Sequence, residues 1–351
     1  MVFQMLTVFS NQHHLHHGSE LKDGAVTPSF EKPERANWIL TEIQKRQLGE
    51  IRIQEHFDKR FYVAAHSERY INFLENAWNE WRVAGNQCDA LPLIWPVRDL
   101  AISDEPDFID GKLGFYAMDA GAPITAGTWQ AVKASADCAL TALHYLLMYD
   151  QQSAFALCRP PGHHAAKEYM GGYCYLNNIA IAAQAAIDHG KQRVAVLDVD
   201  FHHGNGTQNI FYDRKDVLFI SIHGDPKSCY PYFSGFEYEK GVGDGMGYNL
   251  NYPLAQGSSW KDYQPILDAA LHKVKSYQPE LLLISLGVDT FKSDPISHFE
   301  LESTHYFTMG EMIANLNLPT LFVMEGGYMV DEIGVNVANV LQGFDVVLNS
   351  D

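Results

Sequence analysis

The stretch Arg193-Val-Ala-Val-Leu-Asp-Val-Asp-Phe-His-His-Gly-Asn205 is an apolar run that ends in acids and histidines. The run is short, rich in valine and lacks polar alternation. It therefore reads as a strand buried on both faces, the habit of a parallel sheet covered by helices. Residues two apart on an extended chain point the same way, so Asp200 and His202 converge on one ion beyond the strand's C-terminal end. That edge is where parallel α/β sheets place their sites.

Further runs of the same kind occupy 6–9, 154–158, 217–222, 281–286 and 320–324, with the first one spanning 193–199. Helical patterns fill 33–47, 67–82, 128–149, 177–189, 260–277 and 303–316. The alternation predicts an α/β fold, a central, mostly parallel sheet flanked by helices on both faces. With no composition shift, Ser/Pro linker or repeat, the expectation is one domain over residues 1–351. The irregular stretch 85–127 is long enough to read as functional or as an interface.

Three other strand ends carry chemistry. Ile284-Ser-Leu-Gly-Val-Asp289 supplies a third ligand, Asp289, and two carboxylates with one imidazole leave a tetrahedral zinc an open position for water and substrate. Arg159-Pro-Pro-Gly-His-His164 sets two adjacent histidines on a Pro/Gly turn. Their side chains diverge, so His163 and His164 suit acid–base work near neutral pH rather than a shared metal. In Met324-Glu-Gly-Gly-Tyr328 the glycines permit a sharp turn that projects Tyr328, whose phenol can donate to a developing oxyanion. The histidines at 13, 14, 16 and 17 read as a polar loop after the first strand.

Bulk properties exclude other classes. A formal net charge of -18 opposes nucleic-acid binding and favours a cationic partner. Five scattered cysteines without paired spacing fit a reducing compartment. The opening MVFQMLTVFS is too short and too lightly charged for a secretory leader, and no apolar run reaches transmembrane length, so a cytoplasmic enzyme without a membrane partner is expected.

Together the four motifs resemble the histone deacetylase and acetylpolyamine amidohydrolase superfamily, with its arginase-like α/β fold. The resemblance implies Asp200, His202 and Asp289 as zinc ligands and His164 as general base, with Asn205 as its partner. It implies His163, paired with Asp198, as the proton donor to the amine, and Tyr328 as the group that polarises the acetyl carbonyl. It also implies structural potassium beneath the zinc, held by Asp198, the Ser221 hydroxyl and carbonyls of Asp200, His202 and Ile222. A second monovalent site would use carbonyls near Phe211, Arg214 and Val217.

Two departures bear on the substrate. Many protein-lysine deacetylases read His-His-Gly-Asp where this chain has His202-His-Gly-Asn205, and an amide holds the imidazolium less strongly than a carboxylate. The segments Ile109-Asp-Gly-Lys-Leu-Gly-Phe-Tyr116 and Asp119-Ala-Gly-Ala-Pro-Ile-Thr-Ala-Gly-Thr-Trp129 resemble the insertion with which acetylpolyamine amidohydrolases dimerise and narrow their channel. The expectation is therefore hydrolysis of small cationic acetylated polyamines by a homodimer or higher homo-oligomer. A protein-lysine or other small acetyl-amide deacetylase, or an inactive scaffold, stands as the alternative. Gly172 and Tyr173 are expected to line the substrate channel, with Phe233 as a second wall. Some relatives carry glutamate at the position of Gly121; Glu105, Asp110 and Asp119 are the candidates for that ammonium contact, each read first as a solvated loop acid. The Asp-Ala-His-x-Asp signature of two-metal ureohydrolases is absent.

Overall fold

The computed structural model describes residues 5–97, 100, 104–149 and 151–349. All six apolar runs form strands of one sheet: β1 (Leu6–Phe9), β5 (Ser153–Ala156), β6 (Val194–Asp198), β7 (Val217–Gly224), β9 (Leu281–Leu286) and β10 (Thr320–Met324). Two further strands, β4 (Ile51–Ile53) and β8 (Asn249–Leu254), close its edges, giving eight strands in the order β4-β1-β5-β10-β9-β6-β7-β8. Every recorded pairing in this sheet is parallel. A separate antiparallel hairpin, β2 (Ser19–Lys22) with β3 (Ala25–Pro28), lies outside it.

Side-chain alternation explains the layers. In β9, Leu282, Ile284 and Leu286 enter one core and Leu281 and Leu283 the other. The first core is covered by α1 (Glu34–Arg46), α8 (Trp260–Tyr277), α9 (Ser303–Ala314) and α10 (Val330–Leu348). The second is covered by α5 (Thr128–Met148) and α6 (Asn178–Asp188). A third cluster packs α3 (Glu68–Val83) and α4 (Ile109–Phe115) against the outer faces of α5 and α6. The remaining α-helices among the described residues are the short α2 (Arg60–Val63) and α7 (Asn205–Phe211), with 3-10 turns at Asn11–Leu15 and Gly243–Gly245.

The structure adds elements that the sequence pattern did not suggest. Helix α10 buries ten residues, with Asp331, Glu332, Asn339 and Gln342 on its less buried side, and no helix was expected there. The stretch 85–127 is not wholly irregular: it contains α4 and a bridge between Ala90 and Ile124. Positions 98, 99 and 101–103 of that stretch lie outside the described residues.

Helices α9 and α10 cross at nearly backbone contact. A Cβ on Gly343 would stand 2.1 Å from the carbonyl oxygen of Phe307, and helical backbone cannot yield to it. Gly343→Ala is therefore expected to destabilise the fold by about 2 kcal/mol through overpacking. Chemical denaturation measures this, and an unchanged midpoint would contradict the close crossing.

Candidate active site

The site lies at the C-terminal ends of β5, β10, β9 and β6, the four central strands. Asp198 ends β6, Asp289 follows β9, Glu325 follows β10, and His163 and His164 sit on the loop after β5. Asp200, His202 and Asp289 are buried, and one ligand atom from each lies within 4.8 Å of the others. His202 Nδ1 is 2.9 Å from Asp289 Oδ2 and 3.4 Å from Asp200 Oδ1. Backbone amides aim both carboxylates: Phe201 N–H donates to Asp289 Oδ1, and Gly326 N–H to Asp200 Oδ2, each at 2.8 Å. Gly326 is required there, since a Cβ would meet oxygens of Asp200 and Asp289 at 2.6 Å.

The electrostatics fit a cation. Burial, then the charge of Asp200, pushes Asp289 up to about 7. Burial opposes charge on His202, yet its hydrogen bonds to the two carboxylates raise it well above its ordinary value. Two buried carboxylates competing for protons beside an imidazole form a donor set that a divalent ion satisfies. A second buried group, His163, Cys174 and Glu325, is also close-set. Its donors are already engaged, because Glu325 Oε2 accepts from Gly162 N–H at 2.7 Å and His163 N–H at 3.1 Å.

The paired histidines sit 4.0 Å apart between ring centroids and have opposite environments. Burial works against charge on His163, but Asp198, 2.9 Å from its Nδ1, and then Asp200 raise it to about 10. Burial, then the charges of His163 and His202, drives His164 well below its ordinary value. His164 Nδ1 is 2.7 Å from Asn205 Oδ1, an acceptor, so that nitrogen carries the proton and Nε2 keeps its lone pair. One histidine is poised as acid and the other as base.

Tyr328 is 7 % exposed, and burial keeps its phenol protonated and able to donate. Its backbone N–H donates to Asp294 Oδ2 at 2.7 Å. Beneath it lies Arg35, a residue that sequence reasoning missed. The guanidinium sits 4.8 Å from the Tyr328 ring and donates to the carbonyls of Gly327 and Glu325 at 2.6 Å each. Glu31 pairs with both Arg35 and Arg159 at 2.8 Å, so the loops after β5 and β10 share one buried ionic frame.

A channel of about 300 Å³ reaches this constellation, lined by His164, His202, Tyr328, Gly172, Tyr173, Tyr230, Ile296, Asp119–Gly121 and Glu20–Lys22. Tyr173 forms part of this lining. Phe233, expected as the second wall, does not: it is 91 % exposed and lines a neighbouring hollow, while Tyr230 faces the channel. The cause is the reversal of the chain at Tyr232, whose φ is 63°. Asp119 is no solvated loop acid, since its carboxylate accepts from Gly121 N–H at 2.9 Å, Gly172 N–H at 3.0 Å and Tyr230 O–H at 2.5 Å. Glu105 and Asp110 are exposed. Glu20, also missed, accepts from Tyr173 O–H at 2.6 Å and leaves its Oε1 buried without a hydrogen-bond partner. Its only sequence signal was an acid in a short alternating hairpin. His13 and His16 are buried and held below their ordinary values first by that burial, and His16 Nδ1 is 3.0 Å from Thr128 Oγ1.

The model of the histone deacetylase domain matches residues 29–344. The chain belongs to the histone deacetylase family. Among curated members, acetylpolyamine amidohydrolase 2 of Pseudomonas aeruginosa is 57 % identical over 98 % of this chain and 99 % of its own length. The acetylpolyamine amidohydrolase of Mycoplana ramosa is 44 % identical over 97 % and 99 %. The crystal structure of acetylpolyamine aminohydrolase from Burkholderia pseudomallei superposes with a TM-score of 0.93 at 37 % identity, covering 98 % of this chain and 99 % of that one. This histone deacetylase family chain therefore has the arginase/deacetylase fold, and among its described residues no helix is long and apolar enough to cross a membrane.

Asp289→Ala removes one of the three converging donors and is expected to lower zinc affinity by more than about 100-fold. Metal analysis after dialysis against a weak chelator measures it; one tightly held zinc per chain in the variant would exclude Asp289 as a ligand.

Proposed function

We propose that this chain hydrolyses the acetyl amide of acetylated polyamines to free amine and acetate, using one zinc ion held by Asp200, His202 and Asp289. The observation that carries the substrate class is Glu20. Burial raises its carboxyl above the ordinary range against the Tyr173 hydroxyl, the charge of Lys22 and the Phe30 backbone, so a further cation in this narrow aromatic channel would favour its charged form. A substrate with an acetamide at one end and an ammonium some methylenes away supplies that cation, and Tyr173 and Tyr230 cover the methylenes. The names of the relatives described above support the same class.

Bound zinc would supply Lewis acidity, which makes water nucleophilic near neutral pH and polarises an acyl carbonyl. The remaining work falls to side chains. His164 Nε2 takes the proton of the attacking water while Asn205 holds its Nδ1–H. The Tyr328 hydroxyl donates a hydrogen bond to the oxyanion as the carbon becomes tetrahedral. His163, charged through Asp198, protonates the departing nitrogen, so that the C–N bond breaks to a neutral amine.

We further propose potassium at Asp198 and Ser221, with carbonyls of Asp200, His202 and Ile222. Strand register supports it, since β6 and β7 set Asp198 opposite Ser221. A second monovalent ion would use carbonyls of Phe211, Arg214 and Val217. Residues 1–351 are read as one deacetylase domain in which 85–127 contributes channel wall, through its Asp119–Gly121 segment, and a homodimer contact. The exposed Leu93, Ile94 and Phe108 support that contact.

Tyr328→Phe should lower kcat about 100-fold, the worth of one oxyanion donor, with zinc content and fold retained. An unchanged kcat would remove Tyr328 from the chemistry. On substrates, kcat/KM for acetylated diamines and polyamines should exceed that for acetyl-lysine peptides, and Glu20→Gln should cost roughly tenfold on the amines through KM. Higher kcat/KM on the peptides than on every acetylated amine tested would refute the polyamine reading.

A further inference from the structure

Beside the channel lies a second hollow of about 420 Å³, lined by Met118, Asp119, Tyr169, Asn205, Tyr230, Pro231, Tyr232, Phe233 and Ser234. It shares Asp119 and Tyr230 with the channel, so one hydrogen-bonded pair separates the two spaces. Of its lining residues only Asn205, the partner of His164, takes part in the chemistry derived above. Four of its lining residues are aromatic, and Phe233 stands 91 % exposed at its edge with Tyr232 51 % exposed beside it. Large aromatic side chains left in water next to a catalytic mouth mark a surface that meets a ligand.

Backbone conformation singles out the same place. Six non-glycine residues among those described have positive φ: Asp23, Gln47, Tyr173, Tyr232, Gln278 and Asn317. Gln47 and Gln278 are helix C-caps. Only two of the six are bulky aromatics, Tyr173 in the channel wall and Tyr232 in the hollow. Such conformations persist in bulky residues where the surroundings enforce them, and they gather at ligand clamps.

The ligand chemistry follows from the lining. Ring faces are electronegative and attract ammonium groups, the shared wall contributes a carboxylate, and the whole chain carries a net charge of -18. A neutral aryl group would use the rings but gain nothing from Asp119. We propose that this hollow, through Tyr232 and Phe233, binds the ammonium-bearing arm of a long polyamine substrate whose acetylated arm occupies the channel. The inference rests on the polyamine reading and extends it: the channel selects for one ammonium, and the hollow sets preference for chains that carry more.

The experiment compares kcat/KM for a monoacetylated diamine and a monoacetylated tetramine, using the zinc-loaded full chain as wild type, Phe233→Ala, Tyr232→Ala and Tyr238→Ala. Tyr238 is 75 % exposed and lines neither hollow, so it controls for loss of any surface aromatic. Phe233→Ala is expected to lower kcat/KM for the tetramine about fivefold, through KM, and to leave the diamine within about twofold. Phe233→Trp should restore the tetramine value, and Tyr238→Ala should change neither substrate. Should Tyr232→Ala fail to fold, the Phe233 pair decides alone. Equal effects of Phe233→Ala on both substrates, or none on the tetramine, would overturn the proposal while the polyamine reading stands. A wild type that turns over neither amine but does cleave acetyl-lysine peptides would overturn both.

Discussion

Four carboxylates, Asp198, Asp200, Asp289 and Glu325, are wholly buried at the ends of three adjacent strands, and the rest of the structure is arranged around that concentration of negative charge. Each would cost several kcal/mol to desolvate if left uncompensated. Compensation comes from several directions. Backbone amides of Gly162, His163, Phe201 and Gly326 point inward, His163 takes a positive charge, and the Glu31–Arg35–Arg159 frame ties down the loops that deliver those amides. What remains unbalanced is local to Asp200, His202 and Asp289. The loops are therefore as fixed as the strands, because moving any one of them would expose or orphan a buried charge.

That constraint also explains the division of labour between the two histidines. They are neighbours in sequence and 4.0 Å apart, yet one faces an aspartate and the other an amide. Identical side chains are driven in opposite directions by their surroundings, carboxylates around His163 and burial with two neighbouring histidines around His164. An aspartate in place of Asn205 would narrow the difference, so the amide keeps His164 a free base even beside a charged neighbour.

The sequence was most legible where one physical rule acted alone. Runs such as Leu281–Leu286 had no reading but a doubly buried strand, and the acids and histidines directly after them were located by strand ends rather than by long-range packing. The weakly marked parts were those set by tertiary context. Helix α10 carries Asn336 and Asp345 on its buried side, which blurs its stripe, β4 is only three residues long, and the six residues of β8 mix asparagine and proline with apolar side chains. Arg35 lies in an ordinary-looking helix start, and only the fold brings it under Tyr328, 293 positions away in the chain. Glu20 looked like any surface acid until the hairpin carried it over the channel. Phe233 was placed one turn of chain too far along, because a left-handed residue at Tyr232 reverses the direction in which the loop presents its rings.

The rigid floor and the adjustable mouth have different prospects under mutation. Around the carboxylates nearly every substitution breaks a buried polar contact, so the floor can only be conserved or lost. The partition between channel and hollow is another matter: it consists of the Tyr230 hydroxyl on the Asp119 carboxylate, with Gly172 N–H as the third member. Shrinking the ring would open a passage between two cavities at the cost of its edge contacts with His164 and His202. Substrate breadth in this architecture is therefore a question of one party wall, built against the catalytic histidines so that diet and chemistry change together there.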